Sequence, residues 1–216
     1  MILNKESAIK IAESLLQIKA IKLNPTSPFQ WASGWNSPIY CDNRKTLSYP
    51  PVRTFIRQQF VDAINEHFPN AEVIAGVATG GIAHGALVAE AMGLPFAYVR
   101  STAKGHGMQN LIEGDIFKNQ KVVVIEDLIS TGGSSLKAVE ALRENKYDVL
   151  GMVAIFTYGF DLARKNFEDG KCKLITLSDY NSMLEAAVKS QFVSESDVES
   201  LSEWRNTPDT WAPKKR

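Results

Sequence analysis

The spacing of apolar residues divides the chain into an N-terminal part and a longer, alternating part. Residues 4–20 place apolar side chains three and four positions apart, which predicts an amphipathic helix with Asn4 as its N-cap. Four prolines between residues 25 and 50 exclude a long helix there, so we expect a short hairpin or ordered loops. A second helix is predicted to begin after Pro50 and Pro51.

From residue 72 onward, short apolar runs alternate with segments of helical period. Such alternation predicts an α/β fold with a parallel sheet that helices cover on both faces. The first 50 residues and two polar C-terminal helices are expected to cap an edge of this sheet. Strands are predicted at residues 73–77, 96–100, 121–125, 149–156 and 173–177, and helices at residues 81–92, 134–145, 162–167, 179–189 and 194–205.

The composition is that of an ordinary globular protein. Lys and Arg total 24, as do Asp and Glu, so a net charge of zero gives no support for a nucleic-acid partner. No apolar run approaches the roughly 20 residues that span a bilayer, and charged residues interrupt the N-terminus where a signal peptide would be apolar. Cys41 and Cys172 form no metal-binding or redox motif, so we expect reduced thiols in a cytoplasmic protein that contacts neither membrane nor nucleic acid.

One stretch, residues 122–135 with the sequence VVVIEDLISTGGSS, combines the features of a ligand site. Four aliphatic residues predict a buried strand, and Glu126 and Asp127 follow it directly. Carboxylates so near a core are costly unless a partner satisfies them, so they would accept hydrogen bonds from ribose hydroxyls or ligate Mg²⁺. A solvated strand end is the alternative, and the acids alone do not decide between the two.

The loop after the acids favours a ligand. Gly132 and Gly133 permit positive φ angles and close approach of the backbone, while Ser130, Thr131 and Ser134 add hydroxyl groups. Backbone N–H groups at the start of the following helix would bind a phosphate monoester. No lysine follows the glycines, so this is not a nucleotide-triphosphate loop, and the dinucleotide pattern GxGxxG is also absent. Acids for ribose followed by a phosphate site describe a ribose 5-phosphate.

Polar sequence also follows two other predicted strands, at residues 78–81 and 100–114. The second of these segments contains three glycines and shows no period. In an open parallel sheet, ligands bind beyond the carboxyl ends of the strands. We therefore expect both segments to lie near residues 126–134.

The stretch VVVIEDLISTGGSS resembles the phosphoribosyl pyrophosphate (PRPP) signature of the type I phosphoribosyltransferases. The resemblance implies a Rossmann-like type I phosphoribosyltransferase fold, in which a central parallel sheet is flanked by helices. It implies a single domain with a core at about residues 51–177 and a hood from about residues 1–50 and 178–216. Mg²⁺ is implied as well. PRPP would hold most of its coordination sphere, and Glu126 and Asp127 would contact it through water. PRPP itself would be bound by Glu126, Asp127, Leu128, Ile129, Ser130, Thr131, Gly132, Gly133 and Ser134.

Three further segments resemble the orotate phosphoribosyltransferases. Residues 29–44, FQWASGWNSPIYCDNR, resemble the N-terminal substrate segment, and residues 76–82, GVATGGI, resemble the pyrophosphate loop. Residues 97–114, AYVRSTAKGHGMQNLIEG, resemble the mobile catalytic loop. On that loop the family's arginine, lysine and histidine correspond to Arg100, Lys104 and His106.

The resemblance implies a reaction in the de novo synthesis of UMP. Orotate and PRPP would give orotidine 5′-monophosphate and pyrophosphate. Lys104, His106 and Asp127 would act in catalysis, and Arg100 would bind PRPP together with Lys104 and His106. A homodimer is also implied, in which the loop of one subunit completes the site of the other.

The orotate end of the site departs from the family pattern. Ser130 and Arg44 are the implied contacts of orotate. However, the arginine that some members place near the strand after the signature is replaced here, within residues 156–158. The partner of the orotate carboxylate therefore stays open, with Arg44, Lys45 and the backbone amides of residues 33–37 as candidates.

Two alternatives to this function stay open. A purine phosphoribosyltransferase would share residues 126–134, but it should lack the segment 29–44 and the spacing of the residues from Arg100 to His106. A PRPP-sensing regulator without catalysis would add a DNA-binding module or a basic RNA-binding face. The residues before the first core strand offer no helix-turn-helix, and the net charge is zero.

Overall fold

The structure, a computed structural model, describes residues 4–31, 34–100 and 111–213. Its first part contains α1 (Lys5–Gln17), β1 (Ile21–Leu23), β2 (Phe29–Gln30), β3 (Asn36–Ser37), β4 (Ile39–Cys41), a 3₁₀ helix (Asn43–Ser48) and α2 (Pro50–His67). The chain continues with β5 (Val73–Val77), α3 (Gly80–Met92), β6 (Phe96–Val99), β7 (Ile112–Glu113), β8 (Lys121–Ile129), α4 (Gly133–Glu144), β9 (Asp148–Thr157), α5 (Asp161–Asp169) and β10 (Leu174–Asp179). The last two helices are α6 (Tyr180–Lys189) and α7 (Glu195–Asn206).

A six-stranded sheet in the order β10-β9-β8-β5-β6-β7 forms the centre of the molecule. The first five of these strands pair in parallel, and β7 is antiparallel to β6 at the edge. Every residue of β5 is buried, as are residues 122–126 of β8, which is expected for strands that lie between layers of helices. The predicted α/β fold with a central parallel sheet flanked by helices is therefore confirmed.

The central strand β8 is longer than the strand predicted at residues 121–125. Its parallel pairing with β9 continues from Glu126 opposite Ala154 to Ile129 opposite Thr157. The acidic pair therefore lies within the strand, rather than after it, because the neighbouring strand keeps supplying hydrogen-bond partners to its backbone.

A short strand that was not predicted and the start of α2 are two further differences from the prediction. Within residues 100–114, which show no period, Glu113 of β7 pairs with Tyr98 of β6, and a strand of two residues is too short to produce a pattern. Helix α2 begins at Pro50 rather than after Pro51, because proline fits the first turn of a helix, where its missing N–H has no partner to lose.

The N-terminal and C-terminal parts of the chain contact each other. The predicted hairpin is present as β2 paired with β3, and β1 pairs with β4. Helix α1 packs against α6 and β10. Trp204 of α7 is fully buried, and its indole N–H donates to the carbonyl of Asn36 (3.2 Å). The division of the chain into a core and a hood stays a prediction.

Both cysteines are free thiols, as expected. Burial raises the pKa of Cys41 well above its ordinary value and that of Cys172 to about 11, so both remain protonated at neutral pH. In the described ranges of the chain, no helix combines the length and the apolar character that crossing a membrane requires.

Candidate active site

The start of α3, which follows the short loop after β5, lies directly against the carboxyl end of β8. A methyl group added to Gly80 would overlap the Asp127 carboxylate. A methyl group added to Gly81 would overlap the carbonyl oxygen of Ile125. This close approach to β8 therefore depends on the absence of side chains at both positions.

The end of β6 adjoins the same loop. The Ala78 N–H donates to the carbonyl of Val99 (2.8 Å). Arg100 follows, and its Nη1 lies 3.4 Å from Oε1 of Glu113 on β7. The predicted convergence of three strand ends is thus confirmed for the described residues, and Arg100 is brought to the edge of the site. The other residues predicted on this loop, Lys104 and His106, lie outside the described ranges.

Glu126 and Asp127 form a coupled acidic pair. Glu126 is 5% exposed, and its carboxyl group accepts hydrogen bonds from the Asp127 N–H (2.9 Å) and the Ser135 hydroxyl (2.8 Å). Burial, together with the negative charge of Asp127, raises the pKa of Glu126 to about 8. Burial also raises the pKa of Asp127, against the effects of its hydrogen bond with Glu126 and of the charge on Arg44. The larger rise is that of Glu126, so Glu126 holds its proton more tightly than Asp127 does, and the two groups titrate as a pair.

Asn43 fixes the backbone at Asp127; it lies within the segment 29–44, but the sequence analysis gave it no role of its own. The Asn43 amide, which is fully buried, donates to the Asp127 carbonyl (2.6 Å). The backbone carbonyl of Asn43 accepts a hydrogen bond from the Thr46 hydroxyl (2.6 Å). The oxygen of that hydroxyl lies 3.2 Å from Nε2 of His84. Burial lowers the pKa of His84 to about 4, so this histidine is a neutral structural group.

The loop after β8 opens the helix α4. Gly132 has a φ of +81°, and a side chain there would also meet the ring of Phe167 at 2.7 Å. Gly133 is the first residue of α4 and does not have a positive φ. Of the two glycines expected to permit a positive φ, only Gly132 adopts one. Nothing lies within 4 Å of a Cβ added to Gly133, and Ser134 is exposed. Among the described residues no side chain caps the start of α4, so its first N–H groups are available to bind an anion.

A cavity of about 480 Å³ with aromatic walls opens at the carboxyl ends of β8 and β9. The Tyr158 ring lies 5.0 Å from the Trp31 ring, and burial raises the pKa of Tyr158 well above its ordinary value, so the phenol is neutral. Ser130, the predicted contact of orotate, is part of the wall. We call this space the aromatic cavity; its walls include Trp31, Trp35, Tyr40, Leu128, Ser130 and Tyr158.

Two of the predicted PRPP contacts, Leu128 and Ile129, belong to β8 and pack as core or wall residues. Ile129 has no exposed surface, and its carbonyl accepts from the Tyr158 N–H (3.1 Å). Leu128 contributes its side chain to the aromatic cavity. Any contact of these residues with PRPP would therefore involve the backbone.

Arg44 is not among the residues that line the aromatic cavity. Its Nε donates to Oδ1 of Asp42 (2.7 Å), and its side chain is 57% exposed. The Lys45 ammonium donates to the carbonyl of Lys19 (3.0 Å). Contact between Arg44 and orotate stays a prediction.

The acidic pair fits a magnesium ion that arrives with its substrate. Among the described residues, no cluster of three or more His, Cys, Asp or Glu side chains could hold a metal by itself. Mg²⁺ is commonly bound by one or two carboxylates together with water and substrate phosphates. Asp127 offers one such carboxylate beside the start of α4, whereas contact of the buried Glu126 with the ion stays a prediction.

Replacing Glu126 by glutamine should make stability less sensitive to rising pH. The pKa of this group is raised from 4.5 to about 8 on folding, so between these values the native state keeps a proton that the unfolded chain has released. The stability of the wild type should therefore fall as pH rises through this window and level off above it. Because glutamine cannot ionise, Glu126→Gln should be more stable than the wild type at pH 8, by about 1–3 kcal/mol. Urea unfolding across this range measures the difference, and parallel pH profiles would contradict it.

Comparison with known proteins places the chain in a family. It matches the model of the phosphoribosyl transferase domain over residues 49–191. It is 58% identical over 201 residues to an orotate phosphoribosyltransferase of Porphyromonas gingivalis, covering 93% of this chain and 96% of the relative. A relative of the same name from Cytophaga hutchinsonii is 56% identical, covering 94% of this chain and 97% of that protein. Among solved structures, an orotate phosphoribosyltransferase from Aeropyrum pernix has a TM-score of 0.75 and 28% identity, covering 85% of this chain and 99% of the other. The chain belongs to the phosphoribosyltransferases with this domain and, within them, to the orotate phosphoribosyltransferase family.

Proposed function

We propose that the protein transfers ribose 5-phosphate from PRPP to orotate, giving orotidine 5′-monophosphate and pyrophosphate in the de novo synthesis of UMP. One observation carries the proposal. Asp127, the start of α4 and the aromatic cavity all lie at the carboxyl ends of β8 and β9, next to Gly80 at the start of α3. These parts match the ribose, the phosphate and the base of one nucleotide product.

The proposed PRPP site uses charge and backbone groups together. Asp127 would accept hydrogen bonds from the ribose hydroxyls, because it is less buried than Glu126 and holds its proton less tightly. The 5′-phosphate would bind to the N–H groups of residues 131–134 and to the Ser134 hydroxyl, where the start of α4 adds its dipole. Asn43 supports this site by holding the backbone of Asp127 in place.

The chemistry requires stabilisation of the leaving pyrophosphate. Breaking of the bond at the anomeric carbon should run ahead of bond formation, which leaves positive charge on the ribose and negative charge on the pyrophosphate. Arg100 would bind the pyrophosphate as a planar fork, and the resemblance adds Lys104 as a mobile cation and His106 as a hydrogen-bond or proton donor. When bound, Mg²⁺ would neutralise further negative charge on the pyrophosphate, with Glu126 and Asp127 contacting it through water.

Exclusion of water is the second requirement, because water would hydrolyse the activated ribose. The glycines at positions 105, 107 and 114 suit a loop that closes over the site. By resemblance, we propose that this loop reaches across a homodimer and completes the site of the other subunit. The cytoplasmic location expected from the sequence is part of the same proposal.

The proposal can be tested by following the loss of orotate absorbance with PRPP and Mg²⁺, with hypoxanthine and adenine as rival bases. Orotate should be consumed in step with pyrophosphate release, and neither purine should react. Omitting Mg²⁺ should abolish turnover. Turnover with a purine alone would make the protein a purine phosphoribosyltransferase and refute the proposal.

A further inference from the structure

A second, smaller cavity opens beside the aromatic cavity. It has a volume of about 280 Å³ and lies between the end of β9 and α7. Trp35 and Thr131 line both spaces, so the two are direct neighbours. Gly159 and Arg205 form part of the wall of this smaller cavity. A ligand in the aromatic cavity could therefore extend a polar group toward α7.

The guanidinium group of Arg205 is only partly used within the protein. Its Nη2 donates to the Gly159 carbonyl (2.9 Å), and this is its one hydrogen bond to the described residues. Its Nε is buried and has no hydrogen-bond partner among them. A buried N–H without a partner costs free energy. A ligand that accepts a hydrogen bond from the guanidinium group of Arg205 would recover part of that cost.

Gly159 lets this cation approach the end of β9. It has a φ of +69°, which favours glycine, and a Cβ added there would lie 3.3 Å from Nη2 of Arg205. The guanidinium group therefore packs against a backbone position that carries no side chain. Residues 156–158 at the end of β9 include no positively charged side chain, and Arg205 of α7 places a positive charge close to that strand end.

We propose that Arg205 binds the carboxylate of orotate, an inference that rests on the proposed function. Among the described residues that line the two cavities, Arg205 is the only cation. A planar guanidinium fork matches the geometry of a carboxylate and can donate two parallel hydrogen bonds to it. Arg44 lines neither cavity and is paired with Asp42, and the Lys45 ammonium is bonded to the Lys19 carbonyl.

Two acids also line the smaller cavity, and they do not cancel this charge. Asp161 lies 3.0 Å from Arg164, and its side chain is 90% exposed. Asp209 is exposed as well. Water and salt screen the fields of exposed carboxylates strongly, whereas a partly buried guanidinium keeps most of its field at short range. Among the charged groups that line the smaller cavity, Arg205 is therefore the one whose field is least screened.

Steady-state kinetics of Arg205→Gln tests the assignment. The KM for orotate should rise about 30- to 100-fold, because a charge-assisted contact is lost, while the KM for PRPP stays within about twofold. Uracil keeps the ring of orotate but lacks the carboxylate, so its inhibition constant should not change. Arg143→Gln is the matched control, since Arg143 also donates to backbone carbonyls, at Gly170 and Lys171, but lies outside both cavities. That control should leave the KM for orotate within about twofold of the wild type.

A second variant keeps the test decisive if Arg205→Gln folds poorly. Arg205→Lys keeps the charge but loses the fork, so its KM for orotate should rise about tenfold with an unchanged constant for uracil. An unchanged KM for orotate in either folded variant would overturn the assignment, as would an increase confined to PRPP. A large increase in Arg44→Gln with none in Arg205→Lys would give the role to Arg44. If the wild type does not convert orotate at all, the proposed function itself fails, which is a different outcome.

Discussion

Asp127→Asn is expected to lower kcat/KM for PRPP by about 10³-fold. Asparagine has nearly the same shape, but it carries no negative charge for the developing positive charge of the ribose. Its amide would also turn N–H donors toward hydroxyls that the carboxylate would bind as an acceptor. The backbone at this position is held by the Asn43 amide at 2.6 Å, so we expect the variant to keep its fold. Initial rates at varied PRPP measure the loss, and thermal unfolding verifies the fold.

Glu126→Gln provides the contrast for this prediction. With a pKa of about 8, Glu126 is neutral near pH 6.5, and glutamine imitates that neutral state. Its amide could still accept from the Asp127 N–H and donate to the Ser135 hydroxyl, which replaces both present contacts. We expect a loss of about tenfold or less at pH 6.5. Equal losses in the two variants would mean that both carboxyl groups are ionised in the working enzyme, which contradicts the raised pKa of Glu126.

The different environments of these two acids could not be predicted from the sequence. An apolar run followed by two carboxylates predicts a strand that ends at residue 125, because buried charges are costly. The structure continues the strand to Ile129, since burial raises the pKa of Glu126 to about 8 and both of its oxygens make hydrogen bonds. The sequence thus pointed to the pair but placed it directly after the strand rather than within it. Only the neighbouring strand and Ser135 explain why acids remain within the sheet.

Long-range contacts account for the residues that sequence reasoning missed. Asn43 meets Asp127 across 84 positions of the chain, and Arg205 meets Gly159 across 46. Asn43 lies in the segment 29–44 and Arg205 ends the helix predicted at residues 194–205, but neither pattern indicates which distant residue each of them contacts. Local signals performed better: the cap at Asn4 is present, with its side chain accepting from the N–H of Ser7.

The convergence of the strand ends followed from topology rather than from any single motif. Parallel strands joined by helices bring their carboxyl ends to one edge, so polar segments after each strand must meet there. What topology could not supply was the closeness of the approach. The contacts of Gly80 and Gly81 with β8 depend on the absence of side chains at two consecutive positions.

Substitution by alanine should affect activity at Gly80 and stability at Gly81. In Gly80→Ala the added methyl group would overlap the Asp127 carboxylate, which can rotate away because it is the end of a side chain. We expect kcat/KM to fall about 10²-fold, as the carboxylate leaves its place, while stability changes by about 1 kcal/mol or less.

In Gly81→Ala the methyl group would instead overlap the carbonyl oxygen of Ile125. That residue is paired with Gly76 of β5 on one side and Val153 of β9 on the other, so the strand cannot yield. We expect a loss of stability of about 3 kcal/mol or more, because overpacking against a fixed backbone cannot be relieved by a side-chain rotation.

Urea unfolding and kinetics of both variants, with Gly133→Ala as the stability control, separate the two effects. Nothing lies within 4 Å of a Cβ at Gly133, so alanine there should stabilise the fold by about 0.5 kcal/mol. Full activity in Gly80→Ala would show that the position of the Asp127 carboxylate does not limit the reaction. Wild-type stability in Gly81→Ala would show that the start of α3 can move away from β8, and the close approach on which the site depends would then be dispensable.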